Sequence, residues 1–186
     1  EDMTALYHKR SIQEKELRTL ISVLMKIHQT PVPPDFPENL ELRGLNHQHI
    51  FVLPFLENNG FDLDSIQPGL QELAKPIKED GALKQMVSQL GEIYLAAGPV
   101  LLHGDYYPGS WLQANDNIYV IDPEFCFVGF PEFDLGVMGA HLVQGTDSLD
   151  DPNRKGFHMR GLHGLTPETT ETAHYFWTIA TNPEND

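Results

Sequence analysis

The feature that most limits how this chain can fold is the stretch from residue 101 to residue 136, where short apolar runs alternate with closely spaced polar residues. His103-Gly104-Asp105 follows the first apolar run, and Ser110 comes five residues after Asp105. A second apolar run ends at Asp122. No other part of the sequence holds so dense a cluster of polar groups with a recognisable spacing. We therefore expect the chemistry of the protein to lie in this stretch.

The same stretch predicts a β-hairpin. Residues 111–113 would form one strand and residues 118–121 the other, with a polar turn at 115–117 between them, while residues 100–102 lead into the preceding loop. Such a hairpin would bring three side chains to one end of a small sheet: Asp105, Ser110 and Asp122. Magnesium-dependent phosphoryl transfer needs such a set, because one carboxylate accepts a proton while the other oxygen ligands hold the metal on the nucleotide phosphates.

Three short motifs occur in order along this stretch. They are His103-Gly104-Asp105 followed by Ser110, then Ile121-Asp122-Pro123-Glu124, then Asp134-Leu135-Gly136. This order resembles the pattern H-G-D-x-x-x-x-N, I-D-x-E and D-L-[AG] of the protein-kinase-like small-molecule phosphotransferases, the aminoglycoside phosphotransferase and choline kinase group. The serine at the usual asparagine position, and the run DPEFCFVGFPEFDLG, resemble the methylthioribose kinase subgroup.

The resemblance implies a role for each motif residue, with ATP and Mg²⁺ as cofactors and a hydroxyl of a sugar-like or aminoglycoside-like molecule as the phosphoryl acceptor. Asp105 is implied to be the catalytic base, in the same motif as His103, and Asp122 to be the main magnesium ligand. Ser110 is implied to be a weaker second ligand on the nucleotide side, and Glu124 to add to the metal site. Two residues are implied to brace the loop by hydrogen bonds: His103 and Asp134.

Single residues of this kind also have ordinary explanations. An aspartate in a loop is usually a turn or cap residue, and Asp134 just before a predicted helix would serve as an N-cap. One such motif alone would indicate little. Three motifs in the family order, with a strand, a loop and a hairpin around them, favour the phosphotransferase interpretation.

Composition excludes several classes of partner and site. The net charge of −15 argues against nucleic acid or an anionic membrane surface, since both need a basic face. The single cysteine, Cys126, excludes a disulfide within the chain and a cysteine-based zinc or iron–sulfur site. No run is long and apolar enough to span a bilayer, and the N-terminus has no signal-peptide core. We expect a soluble, cytoplasmic protein, whose oligomeric state the sequence leaves open.

The rest of the sequence predicts helices around this small sheet, and thus an α+β fold with mostly helical content. Ser11 to Glu14 has the pattern of a capping box, Ser at the N-cap and Glu three residues on. The apolar stripe of the helix that follows ends near His28, before the prolines that begin at Pro31. His28 itself is interpreted as a packed residue or as one that complements the helix dipole.

Between this helix and the motifs, residues 40–56 predict a mixed, loop-rich segment in which a short strand places His47 and His49 on one face. Two histidines are too few for a closed metal site. Residues 65–78 and 83–97 predict two helices, the second with Met86 and Tyr94 in the core. A further helix is predicted at 136–142.

The order of segments predicts one catalytic unit with additions. Nothing before Ser11 resembles the N-terminal lobe of the kinase-like family, which supplies a glycine-rich turn and a lysine-bearing strand over the phosphates. We therefore expect residues 1–143 to form a C-terminal catalytic lobe that is inactive in isolation. A polar, turn-rich linker is predicted at 144–156, and a β-rich tail at 157–186.

The tail has a resemblance of its own. Residues 172–179 alternate as a half-buried strand does, and the surrounding sequence resembles a segment of the catalytic domain of Rieske-type non-haem iron oxygenases. Cys126 alone cannot supply a Rieske cluster, and the tail histidines form no recognisable iron site. Two alternatives stand beside the kinase interpretation: a catalytically silent fragment or binding scaffold and, more weakly, an oxygenase fragment.

Overall fold

The computed structural model describes residues 3–4, 12–115 and 117–147, the last five of them as backbone only. Its first part is helical. The helices are α1 at Glu14–Gln29, α2 at Leu40–His47, α3 at Leu63–Ile66, α4 at Leu70–Glu79 and α5 at Gly81–Leu95. α2 continues without a break into a π-helical turn at Gln48–Val52 and a 3₁₀ turn at Leu53–Phe55.

Four short strands and a last helix follow. They are β1 at Val100–Leu102, β2 at Trp111–Ala114, β3 at Asn117–Val120, β4 at Phe127–Gly129 and α6 at Glu132–Asp147. β2 pairs with β3 and β1 pairs with β4, both antiparallel, in two separate two-stranded sheets. Short 3₁₀ turns at Pro108–Ser110 and Pro123–Phe125 join the sheets. Mostly helical content with small antiparallel sheets confirms the α+β prediction.

The predicted hairpin is present. Trp111 lies opposite Val120 and Ala114 opposite Asn117, so the predicted strands are each correct to within a residue at either end. Asn115 in the turn has φ 57°, a left-handed conformation that asparagine tolerates better than most residues. The pairing of β1 with β4 was not predicted, because the apolar run around Phe127 does not by itself identify a partner strand.

Buried apolar side chains of the described residues form two clusters. The first joins α1, the loop after β1, β2 and α6, and its fully described buried members are Met3, Leu20, Ile21, Leu24, Tyr106, Trp111 and Met138. The second joins α5, β1 and β4 through Tyr94, Leu102 and Phe127, with Phe51 and Phe133 packed against them. Tyr94 and Phe133 have ring centroids 4.6 Å apart, which is within the range of favourable aromatic pairing.

The start of α1 differs from the prediction. The helix begins at Glu14, and the reciprocal capping bonds are made by Gln13 and Glu16 rather than by the predicted Ser11 and Glu14. Both pairs have the spacing of three residues that a capping box needs, so the sequence pattern did not distinguish the two registers. Ser11 lies outside the described residues. The predicted end near His28 is correct.

Residues 40–56 were predicted wrongly. The alternation around His47 and His49 covers too few residues to define a strand, and the segment is helical throughout most of its length. The predicted helix at 65–78 is broken after Ile66, where Gly69 has φ 88°, and resumes at Leu70.

The limits and the buried face of the last two helices also differ from the predictions. Met86 is 56% exposed whereas Tyr94 is 5% exposed, so only Tyr94 belongs to the core as predicted. The apolar stripe of α5 is wider than the face that packs against the rest of the described chain. α6 begins four residues before the predicted Gly136 and ends at Asp147, inside the segment predicted as a linker. The rest of that linker, the predicted strand at 172–179 and the tail histidines lie outside the described residues.

No helix in the described part of the chain is both long and apolar enough to cross a membrane.

Tyr106 tests the packing between α1 and the motif loops. Its side chain is fully buried, and its hydroxyl donates to the carbonyl of Leu20 across 2.7 Å. Tyr106→Phe should lower the free energy of unfolding by about 1–2 kcal/mol, because a buried hydrogen bond is lost without replacement. Urea unfolding measures this, with Tyr119→Phe as the matched control because Tyr119 is 53% exposed. Equal stability of the two variants would contradict the role assigned to the Tyr106 hydroxyl.

Candidate functional site

The first motif forms a tight loop directly after β1. Gly104 has φ 83°, which few side chains tolerate, and a Cβ there would overlap the backbone carbonyl of Phe125. The loop after β1 and the loop after β3 therefore touch at this point. Because only glycine permits so close an approach, the first motif needs its central residue for the packing of two loops against each other.

The side chain of Asp134 holds this loop in place by hydrogen bonds. Its carboxylate is fully buried and accepts from the backbone N–H of His103 at 2.8 Å and of Gly104 at 2.9 Å. The ring nitrogen Nε2 of His28, at the end of α1, lies 2.9 Å from the same carboxylate. Asp134 lies in the first turn of α6, so it is not the N-cap that the ordinary explanation suggested. Three segments of the chain thus meet at one buried carboxylate: the end of α1, the first-motif loop and α6.

His28 was not assigned to the site from the sequence. Its partner lies 106 residues further along the chain, and its place at the end of an apolar stripe indicated only packing. The side chain of His28 is 11% exposed, so the pair is largely shielded from water. The residues around His28 do not indicate that its partner is a carboxylate far along the chain. The contact is seen only in the tertiary structure.

The side chain of His103 connects the two loops a second time. It is 4% exposed, and its Nε2 lies 2.9 Å from the carbonyl of Ile121. A carbonyl can only accept, so this nitrogen is assigned as the donor. Ile121 directly precedes Asp122, and the bond therefore sets the position of the chain where the second motif begins.

Ser110 lies between the two loops. It is 1% exposed, and its hydroxyl donates to the carbonyl of Asp105 across 2.8 Å. Its own carbonyl accepts from the N–H of Ile121 at 3.0 Å. Because the hydroxyl proton is engaged with the backbone, the oxygen retains lone pairs for a further acceptor interaction.

Asp122 and Glu124 are exposed on the loop after β3. Asp122 has φ 59° and ψ 57°, a left-handed backbone conformation that aspartate and asparagine adopt more readily than other residues with a side chain. Glu124 follows within the 3₁₀ turn Pro123–Phe125. The loop thus presents two carboxylates to solvent next to the loop of Asp105, whose side chain is half-buried.

These carboxylates act on one another. Burial raises the pKa of Asp105 above its ordinary value of 3.8, and although His103 opposes the rise, the negative charges of Glu124, Asp134 and Asp122 add to it. Asp105 is therefore within electrostatic range of both exposed carboxylates, of which the hairpin prediction named Asp122. A cluster of carboxylates that repel one another favours a bound cation.

A magnesium ion held largely by nucleotide phosphates fits this donor set. Across the described ranges, no group of three or more His, Cys, Asp or Glu side chains is placed to hold a metal by itself. Magnesium usually takes only one or two carboxylates from the protein, with substrate phosphates and water completing its shell. Among the described residues, His47 and His49 belong to no such group; the ring of His47 packs near Phe51, and His49 is exposed.

The sequence of the chain is similar to those of a known protein family and of several curated proteins. A profile described as the phosphotransferase enzyme family matches residues 3–169. The match extends past the segment predicted as a linker, and neither it nor the relatives described next support the resemblance of the tail to oxygenases.

Curated proteins similar to this chain are methylthioribose kinases. The chain is 36% identical over 104 residues to methylthioribose kinase of Exiguobacterium sibiricum, covering 56% of the chain and 26% of that protein. It is 32% identical over 113 residues to methylthioribose kinase 1 of Oryza sativa subsp. japonica, covering 61% and 26%. With methylthioribose kinase of Bacillus cereus it is 30% identical over 133 residues, covering 70% and 33%. The chain thus spans about a quarter to a third of the length of these relatives.

Removal of the Asp134 carboxylate should destabilise the protein strongly. Asp134→Ala leaves two buried backbone N–H groups without an acceptor, each costing about 1–3 kcal/mol, so we expect a loss of about 3–5 kcal/mol. Urea unfolding measures the loss, and Asp35→Ala, at an exposed loop position, is the control. A loss below about 1 kcal/mol would show that the loop does not depend on this carboxylate.

Asp105 should make the fold less stable at neutral pH than at acid pH. Its folded pKa is raised by burial, so its contribution to stability is full below the unfolded value and is lost as the pH rises through the folded pKa. Asp105→Asn should therefore raise the thermal midpoint near pH 7, and this advantage should shrink toward about pH 4. Thermal unfolding at both pH values measures the difference, with Asp35→Asn as control. A pH-independent difference would contradict the raised pKa.

Proposed function

Because the chain belongs to the phosphotransferase enzyme family, we propose that it is the catalytic lobe of a kinase that transfers the γ-phosphoryl group of ATP to a hydroxyl of a small molecule. The observation that supports this most directly is the approach of two loops. One carries Asp105 and the other Asp122, and both are held by the buried network around Asp134. Since kinase-like catalysis consists mainly of positioning and charge stabilisation, a rigid pair of loops is the part that the protein must build.

Asp105 is proposed as the general base. Its carboxylate is half-buried, and its raised pKa makes it a stronger proton acceptor than a solvent-exposed aspartate. A positioned base of this kind typically contributes ~100- to 10,000-fold in rate. His103 belongs to the same motif but has its ring buried against the chain, so its proposed role is to position the loop rather than to transfer a proton.

Asp122 is proposed as the main ligand of Mg²⁺, with Ser110 and Glu124 completing the protein's share of the metal and nucleotide site. Asp122 and Glu124 are exposed toward solvent, and the oxygen of Ser110 has its proton engaged elsewhere. When bound, the metal with its nucleotide supplies the phosphoryl group and neutralises the charge on the phosphates. Asp134 supports the site only through the backbone of the first motif.

A sugar hydroxyl is the proposed acceptor. The similar curated proteins are named methylthioribose kinases, and a sugar of that type is therefore the first candidate. The proposed catalytic lobe keeps the limits predicted from the sequence, residues 1–143, and a cytoplasmic location likewise remains a prediction from the sequence. The competing proposal is a scaffold that retains the motifs without binding nucleotide, and nucleotide binding separates the two.

Asp122→Ala should abolish magnesium-dependent binding of ATP, because the remaining protein ligands are one exposed carboxylate and a hydroxyl. Isothermal titration calorimetry with ATP, in excess Mg²⁺ and in EDTA, measures the magnesium-dependent part. Asp35→Ala, an exposed aspartate in a distant part of the sequence, is the matched control and should bind like the wild type.

Equal affinity of the wild type and Asp122→Ala would reject Asp122 as the ligand. Absence of magnesium-dependent binding in the wild type would favour the scaffold. Binding is the appropriate readout, because it tests the proposed ligand directly and does not depend on turnover; the inactivity of the isolated lobe remains a prediction from the sequence.

A further inference from the structure

We infer that Asn39, at the start of α2, is a positioning residue for the metal loop, defined as residues 121–126. Its side-chain amide Nδ2 donates to the carbonyl of Glu124 at 2.7 Å and to the carbonyl of Cys126 at 3.0 Å. One acceptor lies in the middle of the 3₁₀ turn Pro123–Phe125 and the other directly after it, so a single amide group holds the second half of the loop. The inference rests on the proposed function, since it concerns the loop that carries the proposed magnesium ligand.

The side chain of Asn39 makes this contact instead of capping the start of α2. Its backbone has φ 53° and ψ 41°, a left-handed conformation that asparagine tolerates better than most residues but that differs from the extended backbone usual at an N-cap. Asn39 occupies the N-cap of α2, where an asparagine usually accepts from a backbone N–H of the first turn, but its side chain makes no such bond. Both departures are explained if the amide is needed at the metal loop.

Asn39 precedes a helix, α2, that is itself fixed to other parts of the fold. Arg43, one turn further on, is 6% exposed, and its guanidinium donates to the carbonyls of Tyr94 at 2.9 Å and Ala96 at 2.7 Å. The same guanidinium lies 4.5 Å from the ring centroid of Phe127, directly after the metal loop. α2 is thereby tied to the end of α5 and to β4, and the amide of Asn39 extends from an anchored helix.

The metal loop needs such a support because its negative charges lie close to that of Asp105 and repel it. Asp122 and Glu124 add to the negative potential at Asp105, so each carboxylate repels the others before a cation arrives. Hydrogen bonds to the backbone of the loop resist this repulsion without occupying the carboxylate oxygens. Asn39 therefore sets the position of Asp122 in advance, which lowers the reorganisation required when a cation binds.

Two substitutions separate the hydrogen bonds from the backbone conformation. Asn39→Gly permits the left-handed conformation but removes the amide, and Asn39→Asp retains the size while replacing the donor with an acceptor that faces two carbonyls. The matched control is Asn115→Gly, which makes the same change at another left-handed asparagine, in the turn between β2 and β3.

Cys126 supplies a local readout. It is the only cysteine of the chain, it is half-buried, and its carbonyl is one of the two acceptors. Modification of its thiol by Ellman's reagent under native conditions should be roughly 5- to 30-fold faster in Asn39→Gly and Asn39→Asp than in the wild type. Asn115→Gly should match the wild type once rates are compared at equal global stability, measured by urea unfolding. Equal rates in the Asn39 variants and the control would overturn the inference.

Nucleotide binding supplies the second readout. Both Asn39 variants should need a higher magnesium concentration to reach half-maximal ATP binding, with binding in EDTA unchanged. Faster thiol modification with an unaltered magnesium requirement would show that Asn39 is merely structural and would overturn the positioning role. If the wild type shows no magnesium-dependent binding, the proposed function fails, whereas faster modification in the variants would still support the contact between Asn39 and the metal loop.

Discussion

The buried carboxylate of Asp134 accepts the hydrogen bonds on which the rest of the site depends. It accepts from two consecutive backbone N–H groups and lies beside His28, so it connects α6, the first motif and the end of α1. A fully buried aspartate is unfavourable unless its oxygens are hydrogen-bonded, and three neighbouring donors meet that requirement here. The loop that carries Asp105 is held by backbone contacts, which leaves its own side chain available for chemistry.

The site combines this rigidity with electrostatic repulsion. Asp105, Asp122 and Glu124 are close enough for their charges to raise the pKa of Asp105, and a stable fold would gain from separating them. Proteins keep such unfavourable arrangements where a ligand or a reaction uses them.

The segment between α1 and β1 has a structural part in the site that its sequence did not suggest. Its first helix, α2, holds the metal loop through Asn39 and the neighbouring strand through Arg43. The helical segment between α1 and β1 thus helps to hold the metal loop in place. Changes in this segment are expected to affect metal binding even though none of its residues was predicted to lie in the site.

The features that depend on residues close together in the chain could be predicted from the amino-acid sequence. The hairpin, the end of α1 near His28, the core position of Tyr94 and the order of the three motifs follow from local periodicity, turn residues and spacing. The helical state of residues 40–47 was not predicted, because the alternation there is too short to define a strand. The pairing of β1 with β4 and the contacts of His28 and Asn39 with partners about a hundred residues away depend on the three-dimensional fold. The physical reason is that each of these contacts ends on a distant group, in most cases a backbone carbonyl, which every residue possesses. No residue type marks it in advance.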